Sequence, residues 1–282
     1  MLNLDSVGQS TESDTYRWSG QDVILYALAV GASQGDATAE LQFSTENTEG
    51  VALQVLPTFG ALVAQQAARR PSIGGVAPGM ALHAEQAVTL HRPLPAEGCA
   101  RTRCTIQNIF DKTSGALVVS DIEVLDAGTG EPLVTARAGT FIRGEGGFGG
   151  DRGPAASWQR PGRGPDVIVR YATRPEQALL YRLTGDRNPL HSDPSLARAR
   201  GNERPILHGM CTYGFAGRAL LHTLCGSDPS RFVSMTGRFS APVLPGQDLS
   251  VHIWAEGDQA WFQAVTGDDV VVIDQGLCSF RP

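Results

Sequence analysis

The rhythm of apolar and polar residues changes several times along the chain, and each change predicts an element. After a polar N-terminal stretch, Gln21 to Ala32 (QDVILYALAVGA) reads as a helix, with Asp22 near its start and Gly31 near its end. From Leu82 to Gly144 apolar and polar residues alternate, interrupted by the turn signals PLPAEG, DKTSG and DAGTGEP. A period of two broken by such turns predicts an antiparallel meander. Gly144 to Asp166 (GEGGFGGDRGPAASWQRPGRGPD) is dominated by Gly, Pro and Arg. No packed core can be built from it, so it is expected to be a linker between residues 1–143 and 167–282.

Beyond that linker the same order of patterns returns. QALLYRLTGD parallels DVILYALAVG, with Tyr181 in the place of Tyr26. GRFSAPVLPGQDLSVHIWAE parallels AVTLHRPLPAEGCARTRCTI, with Pro245 in the place of Pro95, and IDQGLCSFRP parallels TARAGTFIRG. The match is weak per residue but keeps its order, which predicts two copies of one α+β unit, each a helix packed on an antiparallel sheet. The copies differ at the end of the first helix: AVGASQGD in the first half, LTGDRNPLHSDP in the second.

Composition narrows the function classes. At 282 residues and 41% hydrophobic, the chain can bury one large core or two of ordinary size. A formal charge of -6 argues against general nucleic-acid binding, which needs a positive surface to displace counterions. Lys112 is the only lysine, so the positive charge is nearly all arginine, as in a GC-rich, bacterial genome; arginine also suits phosphate through its planar fork. Five cysteines (Cys99, Cys104, Cys211, Cys225, Cys278) without a C-x-x-C pair disfavour a disulfide framework and a zinc knuckle. The opening residues lack the basic and apolar regions of a secretory signal, and the longest apolar run, around VILYALAVGA, is too short to span a bilayer. A cytoplasmic location is expected.

The chemistry concentrates in YRLTGDRNPLHSDP, Tyr181 to Pro194. Pro189 disfavours helical geometry at Asn188, and Gly185 permits a sharp exit from the preceding helix. A short turn can then bring His191 back toward Asp186, so that carboxylate and imidazole share one water, with Asn188 orienting it. The alternative is an ordinary turn in which Asp186 caps backbone amides and His191 is exposed. A second stretch, NERPILHGMCTYGFAGRALL (Asn202 to Leu221), places Gly209 at the start of a buried helix. Free N–H groups there favour negative charge and can stabilise an enolate oxygen; tight packing against the sheet is the other role open to Gly209.

These residues carry a resemblance. YRLTGDRNPLH resembles the signature of the type 2, (R)-specific enoyl-CoA hydratases of the MaoC-like group, and RPILHGMCTYG resembles their second block. The resemblance covers essentially the whole chain. It implies a double hot dog fold, two tandem units of a long helix wrapped by an antiparallel sheet, with the N-terminal unit degenerate. It further implies that Asp186 and His191 form a catalytic dyad, that Asn188 helps to hold the water or product hydroxyl, and that the Gly209 N–H polarises a thioester carbonyl. Syn addition of water to a trans-2-enoyl thioester would give a (3R)-hydroxyacyl product, with no metal or redox cofactor. The N-terminal half, without a dyad, would widen the acyl tunnel. Glu85 in LHAEQ matches a family glutamate tied to activity, with Ala84 where the family carries glycine; a supporting, structural role is expected of it. On strict alternation His83 and Glu85 share one strand face. Coenzyme A carries phosphates, and Arg198, Arg200 and Arg204, between the two blocks, are the candidates to meet them.

Other readings stay open. His191-Ser192-Asp193 fits the H-x-D of a facial iron triad, with His208, His222 or His252 as third ligand. GEGGFG (Gly144 to Gly149) matches G-x-G-x-x-G but does not open an apolar helix, so it fails the context that dinucleotide binding requires. A hot dog thioesterase would use the same acyl-CoA and the same helix end, and a non-catalytic acyl-carrier or scaffold protein is the fourth reading. Exposed sheet edges or helix faces offer surfaces on which subunits can pair as a homodimer.

Overall fold

A computed structural model describes residues 2–77, 79–155 and 157–282. The first half runs β1 (Ser10–Glu12), β2 (Tyr16–Trp18), α1 (Gly20–Ala29), α2 (Leu41–Ser44), α3 (Phe59–Ala67), β3 (Ala81–Leu90), β4 (Gly98–Asp111), β5 (Gly115–Asp126) and β6 (Pro132–Arg143). The second half runs β7 (Val167–Ala172), α4 (Gln177–Tyr181), α5 (Pro194–Ala199), α6 (Gly209–Cys225), β8 (Phe232–Phe239), β9 (Asp248–Glu256), β10 (Gln259–Thr266) and β11 (Val271–Phe280). The predicted strands are β3 to β6, with β8 to β11 as their counterpart, but only β4–β5–β6 and β9–β10–β11 run as meanders: β3 crosses over to pair with β6, and β8 with β11. Helix α1 begins where Asp22 accepts the Ser19 N–H at 2.8 Å, one arm of a capping box.

All strands join one antiparallel sheet. Its order is β1-β4-β5-β6-β3-β8-β11-β10-β9-β7, with β2 also on β4. Matched positions of the sequence repeat lie 150 residues apart, Ala87 with Gly237 and Pro95 with Pro245. The β3–β8 ladder pairs Gln86 with Gly237 and Ala87 with Thr236. A pseudo-two-fold axis between those two pairs exchanges one half for the other, so the repeat read in the sequence is a symmetry of the fold.

The helix wrapped by each sheet is not the one that the repeat matched. In the second half it is α6, buried along most of its length, against β7, β8, β9 and β11. In the first half it is the nine-residue α3, against β3, β4, β5 and β6. Helices α1 and α4 lie beside them, and the repeat-related Tyr26 and Tyr181 meet edge to face at 6.3 Å. Small residues set the spacing. A Cβ at Gly214 would stand 2.4 Å from Val30, and one at Gly217 would stand 2.4 Å from Thr58, so both glycines let first-half backbone approach α6. One apolar core runs through both halves, from Trp18 and Phe59 to Tyr213 and Phe262.

A buried ion pair ties the halves further. Arg218 on α6 is 5% exposed and donates to both Glu40 oxygens, from Nε at 2.8 Å and Nη2 at 3.0 Å. His222 Nε2 contacts the same carboxylate at 2.7 Å, the Ser33 N–H donates to it at 3.1 Å, and the Arg218 guanidinium lies 4.3 Å over the Tyr171 ring. Burial alone would raise the Glu40 carboxyl; hydrogen bonds from His222 and Arg218 overcome it and hold the group at about 2.

Among its described residues, 144–166 contains no helix or strand, but it is fastened to the sheet. Trp158 Nε1 donates to Gly276 O at 2.8 Å. In the GEGGFG stretch the Gly147 and Gly149 N–H groups both donate to Asp111 at 2.8 Å, so the protein's own carboxylate occupies the glycine turn. No helix among the described residues is long and apolar enough to cross a membrane.

Candidate active site

The turn after α4 does what Gly185 and Pro189 predict. A short 3-10 turn, Arg182–Thr184, ends at Gly185 with φ 125°, a conformation suited to glycine. A side chain there would also strike Gln66, 2.6 Å away at the end of α3. The chain reverses through Asp186, whose carboxylate accepts the Asn188 N–H at 3.1 Å. A second 3-10 turn, Pro189–His191, then delivers His191. Asn188 is exposed, and its side-chain oxygen accepts the Leu190 N–H at 3.1 Å. Its observed work is to cap the turn that carries His191.

His191 and His208 come together from two elements. His208 is the N-cap residue of α6; its ring stacks on His191 at 3.8 Å with a 28° tilt and meets Tyr181 at 4.9 Å. Donor atoms of Asp186, His191 and His208 all lie within 4.8 Å of one another. His191 Nδ1 is 2.8 Å from Ile206 O, and a carbonyl only accepts, so Nδ1 carries the proton and Nε2 keeps a lone pair. By the same logic His208 Nε2 donates to Asp186 O at 3.2 Å. That leaves His208 Nδ1 buried and without a hydrogen-bond partner among the described residues. Burial lowers the pKa of His191. Burial, then the neighbouring His191, brings His208 down to about 4. Both rings are therefore neutral bases around pH 7.

Gly209 begins α6 as predicted. The Cys211 and Thr212 N–H groups bond back to His208 O, whereas the Gly209 N–H has no backbone acceptor among the described residues. Gly209 also packs closely: a Cβ there would lie 3.2 Å from Phe239, and Phe239 in turn meets the His83 ring edge-on at 5.1 Å. The packing role raised by the sequence is present at this glycine.

Glu85 is where the alternation fails. Along β3 and β6, His83 pairs with Thr140 and Glu85 with Gly139, so Ala84 is an extra, bulged residue. Neighbouring residues of β6 face opposite sides, and the register therefore puts His83 and Glu85 on opposite faces of the sheet. His83 shares the inner face with the buried Gln86 and Val88, while Glu85 lies outward beside Gly139. The inward residue is His83. Its Nε2 is buried without a hydrogen-bond partner among the described residues, and burial, then Arg70, brings its pKa down to about 4 against the opposing effects of the Glu85 backbone, the Gln86 side chain and, least, Asp186. Alternation along the sequence gives His83 no role, and the H-x-D pattern offers His208 only as a metal ligand.

Arg198, Arg200 and Arg204 are all exposed, on the end of α5 and on the segment returning to His208. Arg200 packs its guanidinium over Gly79. Asp193 is not part of the histidine cluster: it caps α5, accepting the Ser195 N–H at 2.7 Å. The facial triad therefore loses its H-x-D, and Asp186 takes its place in the cluster. An ion bound by both imidazoles must lie in both ring planes, about 2 Å from each nitrogen. Planes 3.8 Å apart at 28° meet well beyond that reach, so the rings as they stand suit a shared water better than a shared metal.

Two family models match the chain in tandem, the MFE-2 hydratase 2 N-terminal domain over residues 16–144 and the MaoC like domain over residues 157–275. The chain is 42% identical to 3-hydroxyacyl-thioester dehydratase Y of Mycobacterium tuberculosis, across 99% of this chain and 98% of that protein. It is 39% identical to enoyl-CoA hydratase ChsH3 of the same organism, across 96% of each. The crystal structure of a MaoC-like dehydratase from Phytophthora capsici superposes with a TM-score of 0.86 at 31% identity, covering 99% of this chain and 98% of that one. With a hydratase 2 first half, a MaoC-like second half and relatives that align from end to end, the chain belongs to the MaoC-like hydratase family in its double hot dog form.

Proposed function

We propose that the protein catalyses the reversible hydration of a trans-2-enoyl thioester of coenzyme A to the (3R)-3-hydroxyacyl thioester. One observation carries this reading: the Asp186, His191 and His208 cluster, within 4.8 Å, adjoins Gly209 at the N-terminus of α6. The thioester carbonyl accepts the Gly209 N–H, which stabilises the enolate oxygen as charge develops there. A water held between the Asp186 carboxylate and His191 Nε2 gives up a proton as its oxygen bonds to Cβ. The proton returns to Cα on the same face, so addition is syn and the atoms of one water are conserved. His208 keeps the Asp186 backbone in place through its Nε2–H.

The first half, without an Asp-x-x-x-x-His turn, supplies room for the acyl chain, and residues 167–282 carry the chemistry. Arg198, Arg200 and Arg204 receive the coenzyme A phosphates, with the pantetheine arm running toward Gly209. A bacterial cytoplasm suits this reading, given two mycobacterial relatives of the same length. Asp186→Asn and His191→Ala are each expected to lower hydration of a short enoyl-CoA by about 10²–10⁴, with unchanged circular dichroism and no release of free thiol. Near-normal turnover in both variants would overturn the dyad, and thiol release would identify a thioesterase instead.

A further inference from the structure

A cavity of about 450 Å³ opens on the inner face of the first-half sheet. Its walls include Ile106 on β4, Val118 and Ser120 on β5, and Thr140 and Ile142 on β6, with Arg70 at its rim. Two neighbour relations link it to the candidate active site. Thr140 is the register partner of His83, the inner-face residue on which the Asp186 charge acts. Gln66, packed on Gly185, belongs to the end of α3, from which the chain continues within four residues to Arg70.

The lining is mixed in a specific way. Most of it is aliphatic, but Arg70, Ser120 and Thr140 bring a guanidinium and two hydroxyls, and none of these side chains has a hydrogen-bond or ion-pair partner among the described residues. Arg137 and Arg103, on the same half of the sheet, are by contrast paired with Asp121 and Glu12. A chain ending in a methyl group would cover the Ser120 and Thr140 hydroxyls and return nothing to them, and would leave the exposed Arg70 guanidinium to water. A carboxylate would accept from all three, through a charge-assisted contact with Arg70.

We propose that this cavity receives an acyl chain whose distal end is a carboxylate, so that the preferred substrate is an ω-carboxylated enoyl thioester. The inference rests on the hydratase reading and names the substrate class within it. The test uses enoyl-CoA thioesters of one chain length that end in a carboxylate, a hydroxyl or a methyl group, with a short enoyl-CoA as reference. The native protein is expected to favour the carboxylate end over the methyl end by about tenfold to a hundredfold in kcat/KM, the discrimination of one charge-assisted hydrogen bond. Arg70→Met is expected to erase that preference through KM, and Ser120→Ala with Thr140→Val to reduce it. A native protein that favours the hydroxyl or methyl end, or an Arg70→Met variant that loses equally on every substrate, overturns the proposal. Failure to hydrate even the short enoyl-CoA would sink the hydratase reading itself, a result distinct from hydration without end-group preference.

Discussion

Glu40→Ala should be among the most damaging single substitutions outside the candidate site. The carboxylate accepts four hydrogen bonds, two from Arg218, one from His222 and one from the Ser33 N–H. Without it Arg218, 5% exposed, keeps only Val30 O at 2.8 Å and the face of Tyr171. An uncompensated buried charge of this kind costs about 3–5 kcal/mol. For a chain of this length each kcal/mol lowers Tm by about 2–4 °C, so a fall of roughly 10 °C is expected. Urea melts at constant m should report the same loss, and Glu40→Leu combined with Arg218→Met should recover much of it, because the charge is then gone from both sides. The effect also carries a pH signature. Glu40 is depressed from 4.5 to about 2 when folded, so its contribution is complete above pH 4.5 and disappears as the pH falls toward 2. The gap between native and Glu40→Ala stabilities should narrow over that window. A single variant within 1 kcal/mol of the native protein at pH 7 would refute the assignment of this pair as a buried clasp between the halves.

Two further outcomes test the site. Burial disfavours the His191 imidazolium, so the neutral base persists to lower pH and the acid limb of kcat/KM should have its midpoint below the ordinary 6.5; a midpoint at or above that value would contradict the buried, neutral ring. Gly209→Pro removes the N–H at the first helical position, where proline is tolerated and where His208, at ψ 132°, already has the geometry proline requires of its predecessor. Set against Gly209→Ala, which adds the same Cβ near Phe239 but keeps the N–H, kcat should be lower by about 10²–10³. Equal rates in the two variants would remove the N–H from the chemistry.

How much of this was legible in the sequence depended on whether the signal was local. The kink at Gly185, the turn at Pro189 and the start of α6 at Gly209 are set by backbone restrictions of a few residues, and they lie where the pattern placed them. Helix α3 was not legible, because FGALVAQQA is apolar on nearly every side where it is wrapped by strands, and a helix buried all round loses the period that marks a surface helix. The bulge at Ala84 was also hidden. One extra residue in β3 reverses which of His83 and Glu85 faces inward, and alternation cannot announce its own failure. His208 reaches Asp186 only through tertiary folding, across 22 positions. The role of Asp193, by contrast, was readable: Asp-Pro-Ser is an N-cap followed by proline at the first helical position, and it outweighs H-x-D as a ligand motif.

The β3–β8 ladder has an evolutionary meaning as well as a geometric one. When two identical subunits meet across a dyad, whatever one contributes the other must duplicate, and every groove near the axis is made from two equal sides. Tethering the partners in a single polypeptide lifts that obligation. Here one half carries the bent acid-and-imidazole loop and the other the chamber with Arg70 among its lining residues, and the two sides are free to differ. Because the joint is a covalently linked strand pairing, dilution cannot separate chamber from loop, and selection can refine each without preserving the self-complementarity that a reversible dimer demands.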